Sequence, residues 1–581
     1  MTSNNNVLSS ENGVLRASLT FELATHNLVV VQEEEEEEDR ESVGSSTSST
    51  SSTTTLALRT RLFNGVFPGP TFRVQPGDTI ELNFTNRLAD QSIPFHENKF
   101  SAPDETNLHF HGLHISGELP SDDITKVIKP GETFLYTVTL PDDHMPGTHW
   151  LHPHRHGSNS LQVGGGAASA IIVEDPKDST LPRPVKQAQD VLFLAQQMDL
   201  EQLESVAQQT NDKSLSVSLL SSSSTTTTSK TVPVRGGKQK SPSPFVTVNG
   251  QWKPEIVAIK PWKWIRLRVI WAAWLKGELN LGVPECETYL LAKDGVYIRD
   301  FPRKITHRAP IVPGGRADLL VRCTKASSIY NVTNGSDIIA TIRTTEHESH
   351  ATFNGSGDDD ELKPWTPDYP AYLTDLRDKE VSPGCSCSTV FNQKGVNGNN
   401  FQPGIRLHET YLGSVAEREV VLARHPYHQH VYPFQLIGGF SNDTSSVMNE
   451  DDYYAIGDWH DTIQGEGIIR FHPTIYSGKM MVHCHRLNHE DKGMIAIEHV
   501  HRNDDQRQSC VCRNSMIVER VSFGSFVRKT RFDVVMVGLV LVALGFWSYR
   551  RFAHKSNRRS VEVDMAASET TRLQNAERSV Q

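Results

Sequence analysis

His483-Cys484-His485-Arg486-Leu487-Asn488-His489-Glu490-Asp491-Lys492-Gly493-Met494 offers one thiol, three imidazoles and a thioether within twelve residues. Two histidines, a cysteinate and a distant methionine are what a type 1, electron-transfer copper site requires: the soft thiolate binds copper covalently, and a weak axial thioether tunes the potential. If residues 483 to 485 are extended, successive side chains face opposite ways, so Cys484 points one way and His483 and His485 the other. One tripeptide then reaches two metal sites.

Further out lie three more histidine clusters, His109-x-His111, His152-x-His154 and His425-x-x-His428-x-His430. With His483, His485 and His489 they hold ten of the 25 histidines. A lone His-x-His pair on a strand is ordinarily solvated or hydrogen-bonded. Four clusters, one carrying a cysteine and a spaced methionine, point to copper. Imidazole suits the task because it is neutral at working pH and can be oriented through its second ring nitrogen. His114, His149 and His156 sit beside the clusters and read as outer neighbours or surface residues without copper. His347 and His350 fall in a polar linker and read as solvated.

At 581 residues the chain exceeds a single core and suggests about three to four domains. Short apolar stretches broken by Gly and Pro favour many short strands, hence an all-β class. A net charge of −11 leaves no basic surface for nucleic acid, and Gly164-Gly165-Gly166 lacks the spacing and lysine of a phosphate loop. Leu15 to Leu23 and Leu28 to Val31 read as strands, interrupted by a Glu-then-Ser/Thr tract from Glu33 to Thr55 that reads as a surface loop. The recurring strand and turn texture suits three β-sandwiches of similar size. They are expected at residues 13–178, with a disordered insertion at 33–55; at 179–348, with a low-complexity insertion at 214–243; and at 365–503.

Cys286, Cys323, Cys385, Cys387, Cys510 and Cys512 form an even set that permits disulfides. Cys286 with Cys323 is the pairing put forward, and the remaining connectivity is not readable; the two Cys-x-Cys pairs also admit a metal site. Asn-x-Ser/Thr acceptors at Asn83, Asn331, Asn334, Asn354 and Asn442 fit a secreted glycoprotein. The apolar run Val534 to Tyr549, edged by aromatics and followed by Arg550, Arg551 and Lys555, reads as a transmembrane helix over 532–549, about 18 residues where about 20 is usual. The basic flank places residues 550–581 in the cytosol and the body outside. No signal peptide is visible in residues 1–30, and a start site placed too far downstream would reconcile the two.

His109-Phe110-His111-Gly112, Gly147-Thr148-His149-Trp150-Leu151-His152-Pro153-His154, His425-Pro426-Tyr427-His428-Gln429-His430 and the opening stretch together resemble the motifs of multicopper oxidases, the family of laccases, ascorbate oxidase, ferroxidases and bacterial cuprous oxidases. The resemblance runs over about residues 13 to 503. It implies three cupredoxin-like, Greek-key β-sandwich domains and four copper ions. Type 1 copper would take His425, Cys484 and His489 with Met494 as axial neighbour, and type 2 copper His109 and His428. The type 3 pair would take His111, His152 and His485 on one ion and His154, His430 and His483 on the other. The resemblance also puts a proton-relaying carboxylate at Asp122 or Asp123 and another at Glu490, where the plain alternative is a structural hydrogen bond. Gly457-Asp458-Trp459-His460-Asp461-Thr462 recurs in the family and reads as structural.

The implied function couples one-electron oxidation of a reducing substrate at type 1 copper, through Cys484 and the exit edge His489, to reduction of O2 to water at three clustered coppers. Phenolic or aromatic donors, as for laccases, come first. A membrane-anchored ferroxidase oxidising Fe(II) beside an iron permease comes second, with Asp458 or Asp461 as carboxylates that iron would need. A non-catalytic copper-binding cupredoxin protein is the reading from another class, and retention of all ten histidines and Cys484 speaks against it.

Overall fold

The structure, a computed structural model, describes residues 7–33, 51–221, 232–233, 244–346, 361–439, 453–503 and 509–513. They form six β-sheets, and the few helices are short, so the all-β expectation holds. Period-two burial explains the strands: in Thr79–Asn86 the side chains of Ile80, Leu82, Phe84 and Asn86 turn inward and Asn83 outward, the alternation of a strand with one face on a core. The strand order of the sheets is non-sequential and mixes parallel with antiparallel pairs. One sheet, for example, runs Val7–Ser9, Thr71–Val74, Ser169–Val173, Gly147–His152, His109–His111.

Two expectations about the insertions are corrected. The strands expected at Leu15–Leu23 and Leu28–Val31 are one strand, Val14–Glu33, paired antiparallel with Ser51–Phe63 from Phe21 opposite Phe63 out to Glu33 opposite Ser51. The Ser/Thr tract therefore enters the sheet at Ser51 rather than ending at Thr55, because β-branched threonines suit a pleated edge. Likewise Ser216–Ser221, inside the expected low-complexity insertion, is a strand. It pairs with Ser51–Phe63, from Ser216 opposite Arg59 to Ser221 opposite Thr54, and Val232–Pro233 pairs with it in turn. Val217 alternates inward to a buried position while Ser216 stays exposed. The open edge of Ser51–Phe63 presents unpaired backbone groups, and this segment satisfies them. Behind it Arg61 and Asp212, each at most 1% exposed, form an ion pair at 2.9 Å.

Cys286–Cys323 is a disulfide, as put forward. The Cys-x-Cys pairs are bridged to one another, Cys385–Cys510 and Cys387–Cys512, and this replaces the metal alternative for them. Cys484 is free and buried. Among the described residues no helix is long and apolar enough to cross a membrane. The run 532–549, the tail 550–581, His347, His350, Asn354 and Asn442 lie outside the described residues, while Asn83 and Asn331 are exposed on strands.

Candidate metal centres

Strand register assembles the site. Tyr427–Gln429 runs antiparallel to Gly478–Cys484, with Tyr427 opposite Cys484 and His428 opposite His483. Backbone bonds from His485 N to Pro426 O (2.8 Å) and from His430 N to Met481 O (2.9 Å) carry the pairing past both strand ends. In another sheet His109 stands opposite His152 and His111 opposite Trp150. Alternation then puts the histidines on shared faces. Trp150 is wholly buried and stacks on His152 with ring centroids 4.2 Å apart. Gly314, at φ +86°, leaves room for the His485 ring, since a Cβ there would come within 2.6 Å of it.

On one side of the tripeptide, Cys484 Sγ lies 3.4 Å from His425 Nδ1 and 3.9 Å from His489 Nδ1, and those two nitrogens are 3.1 Å apart. Cys484 N donates to the Met494 carbonyl at 3.0 Å, and Met494 N to the His489 carbonyl at 3.0 Å, so a tight loop wraps the thiol. Burial pushes the Cys484 thiol up to about 12, against the backbone N–H of Arg486. His425 and His489 are part-exposed, the only members of this group that reach the surface.

On the other side the eight remaining histidines are all buried. His483 Nε2 faces His154 Nε2 at 3.0 Å and His430 Nε2 at 3.1 Å, and His109 Nε2 faces His428 Nε2 at 3.3 Å. Four of the second nitrogens are tied back: His109 Nδ1 to Asp122 (2.8 Å), His152 Nδ1 to the Pro153 carbonyl (2.9 Å), His428 Nδ1 to the Asp461 carbonyl (2.9 Å) and His483 Nδ1 to the Cys484 carbonyl (3.2 Å), while His154 Nδ1 and His430 Nδ1 have no hydrogen-bond partner among the described residues. The three bonds to carbonyl oxygens place the ring protons of His152, His428 and His483 on Nδ1 and leave their Nε2 lone pairs free. His152 Nε2, His111 Nδ1 and both nitrogens of His485 are buried without a partner. Such groups are costly unless something satisfies them. Burial, followed by the neighbouring imidazoles, holds His109, His154, His430, His483 and His485 well below the usual histidine range, so they are neutral. An all-imidazole cluster beside a two-imidazole thiol group is a donor set that fits copper.

The carboxylates separate. Asp122 Oδ2 bonds His109 Nδ1, and Asp122 Oδ1 accepts from Phe110 N at 2.9 Å; burial raises its pKa well above the usual range. Asp123 turns away to Lys479 (2.6 Å) and Thr125. Glu490 is wholly buried against His156 Nδ1 (2.9 Å) and Asn159 (3.2 Å). Burial raises Glu490 to about 8 and lowers His156 to about 4, so the pair is a hydrogen bond between neutral groups rather than an ion pair. Its neighbour Asp491 accepts from the backbone N–H groups of Gly157, Asn159 and Ser160.

The carboxylates considered for iron are already held. Burial would raise Asp458, but Lys293 and Arg303 outweigh it and keep it ionised. Asp461 is likewise kept low by Arg316, which bonds both of its oxygens. The structural reading of the Gly457–Thr462 motif missed the other half of its role. Asp461 Oδ1 also lies 3.4 Å from His111 Nε2, and Thr462 Oγ1 lies 3.0 Å from His428 Nδ1. His114 bonds the Val431 carbonyl at 2.8 Å, and His114, His149 and His156 are all buried, not on the surface.

Residues 46–178 and 377–503 match two family models, each described as multicopper oxidase, and these stretches carry every histidine of the two groups. The iron transport multicopper oxidase FET5 of Saccharomyces cerevisiae is 35% identical over 124 residues, 20% of this chain and only 17% of that protein. A multicopper oxidase of Staphylococcus haemolyticus is 22% identical over 452 residues, 74% of this chain and 82% of the relative. The crystal structure of a multi-copper oxidase from Pseudomonas thermotolerans shares the fold with a TM-score of 0.57 at 19% identity, over 84% of this chain and 99% of that one. The converging imidazoles, the buried thiol between two of them and these matches agree: the chain belongs to the multicopper oxidase family, copper-dependent oxidoreductases that use O2 and carry four coppers.

Proposed function

We propose that this chain oxidises a reducing substrate one electron at a time at a type 1 centre formed by His425, Cys484, His489 and Met494, and passes the electrons to a three-copper cluster that reduces O2 to water. His109 and His428 would hold type 2 copper, and His111, His152, His485, His154, His430 and His483 the type 3 pair. The observation that carries this reading is the tripeptide His483-Cys484-His485, whose sulfur joins one donor group while both flanking imidazoles join the other. Copper, when bound, would supply reversible one-electron chemistry at the first group, and the three ions of the second together with that of the first would hold the four electrons that O2 takes up. The protein's own part is positional. Part-exposed His489 and His425 form the entry edge, the strand fixes the two groups relative to each other, and burial keeps water and protons from the imidazole nitrogens. Asp122, on His109, is the proton-handling carboxylate that the hydrogen bonds favour over Asp123; Glu490 serves through His156.

A phenolic or aromatic donor is the favoured reductant. Iron is the second reading, supported by the likeness to FET5, an iron transport multicopper oxidase, and weakened by the engagement of Asp458 and Asp461 with buried cations. The iron-permease partner belongs to that second reading. The three disulfides support a body in an oxidising compartment, and with the apolar run at 532–549 they support a single-pass, outward-facing glycoprotein. The test is copper content, the blue absorption band and oxygen uptake with a phenol and with Fe(II). About four coppers with oxygen uptake is the expected result, and a copper-free or single-copper protein refutes the reading. Cys484→Ser should lose the blue band and turnover yet still load the imidazole cluster.

A further inference from the structure

The surface around His425 and His489 is basic, in contrast to the net charge of −11 for the whole chain. Arg424 precedes His425 and is exposed; Arg486 is part-exposed and its guanidinium bonds the Arg424 carbonyl; Lys492 is exposed with Nζ 4.5 Å over the Phe100 ring. Among the described residues none of the three forms an ion pair, since every carboxylate lies beyond 4 Å of them. The acids nearest in sequence, Glu490 and Asp491, are fully buried and turned inward onto His156, Asn159 and Ser160. His489 N donates to the Arg486 carbonyl (2.9 Å) and Lys492 N to the His489 carbonyl (3.1 Å), so both cations belong to the turn that carries His489. Cations on the residues that flank a redox entry edge, without an ion-pair partner among the described residues, raise the local concentration of anions and lower that of cations.

We infer that the reductant for this entry edge is an anion: a one-electron donor carrying net negative charge, such as a phenol bearing a carboxylate or an ionised enediol, collected by Arg424, Arg486 and Lys492. This deepens the oxidase reading above and rests on it. Each donor loses one electron and one negative charge, and four such electrons with four protons turn one O2 into two waters. Free Fe(II), a dication, meets the wrong sign.

The test compares hexacyanoferrate(II) with a cationic pentaammine(pyridine)ruthenium(II) donor, on the copper-loaded full chain and on the variant R424Q/R486Q/K492Q, at low and at high salt. Comparing variant with parent for each donor cancels their different potentials and the effect of the overall negative charge. Neutralising the triplet should lower kcat/KM for the anion about tenfold or more and raise it for the cation, and both changes should shrink at high salt. Independently of turnover, the redox-inert anion hexacyanocobaltate(III) should bind the copper-free parent at low salt, measured calorimetrically, and bind the variant at least several-fold more weakly. Equal kcat/KM changes for the two donors, or equal binding to parent and variant, overturns the charge assignment and leaves the oxidase reading standing. Absence of oxygen uptake with every donor takes both down.

Discussion

Arg316 grips both carboxylate oxygens of Asp461, and the Asp461 backbone carbonyl in turn accepts from His428 Nδ1 at 2.9 Å. Both side chains are almost fully inaccessible. A strand of the middle stretch of the chain thus sets the orientation of a histidine supplied by the last stretch. Arg316→Ala leaves a buried carboxylate uncompensated, which costs about 3–5 kcal/mol. Chemical denaturation of the copper-free protein should show that loss, and the type 2 signal in electron paramagnetic resonance should weaken or broaden on loading. A variant with native stability and an unchanged signal contradicts the link.

Asp122 supplies the next expectation. Asp122→Asn keeps a side chain that can bond His109 Nδ1 or Phe110 N but cannot exchange a proton as a carboxyl does. Oxygen uptake should fall about a hundredfold or more, while the blue band and its anaerobic bleaching by donor stay intact. Asp123→Asn, which loosens the pair with Lys479 and keeps an amide oxygen to accept from Thr125, should leave uptake within about threefold, since a part-exposed pair contributes little.

Acid should act through Glu498. Its side chain and that of Arg418 are wholly buried and 2.8 Å apart; burial raises the carboxyl, Arg418 outweighs burial, and the folded pKa lies below the ordinary 4.5. A carboxylate depressed in the folded state contributes stability that is complete above its unfolded pKa and is lost as pH falls through the folded one. Glu498→Gln should therefore be less stable than the parent at pH 6 by about 3 kcal/mol, and the gap should close as pH drops below 4.5. A gap that is constant down to pH 3, measured by urea titration, rules this out.

The paired disulfides should behave non-additively. Cys385–Cys510 and Cys387–Cys512 each span 125 residues, and either one alone closes the same long loop. Removing one should cost less than about 1 kcal/mol, whereas removing both should cost about 2–5 kcal/mol. Two equal and additive losses would contradict a shared loop.

The metal groups were legible because coordination chemistry restricts residue types: few roles other than copper explain Cys484 among His425, His489 and Met494. Asp122 and Asp123 were inseparable by spacing, and only the strand geometry, which turns Asp122 to His109 and Asp123 to Lys479, divides them. Arg316 carried no signal at all, because an arginine in an apolar strand looks alike whether it meets solvent or a distant aspartate. The Ser216–Ser221 strand was hidden for a compositional reason. Serine-rich sequence reads as loop, and its strand state comes from a vacant edge supplied by residues far away.

That vacant edge has a consequence for how the chain is made. Residues 54–59 wait for a partner 157 to 167 positions downstream, so the first sheet is unfinished when residue 178 leaves the ribosome and acquires its outer strand only after residue 221 follows. Contacts of such long sequence separation form slowly and leave an unsatisfied edge open to misassociation meanwhile. A fragment ending at residue 178 should therefore aggregate on synthesis, whereas one ending near residue 346 should not, a difference visible in the soluble fraction during cell-free translation.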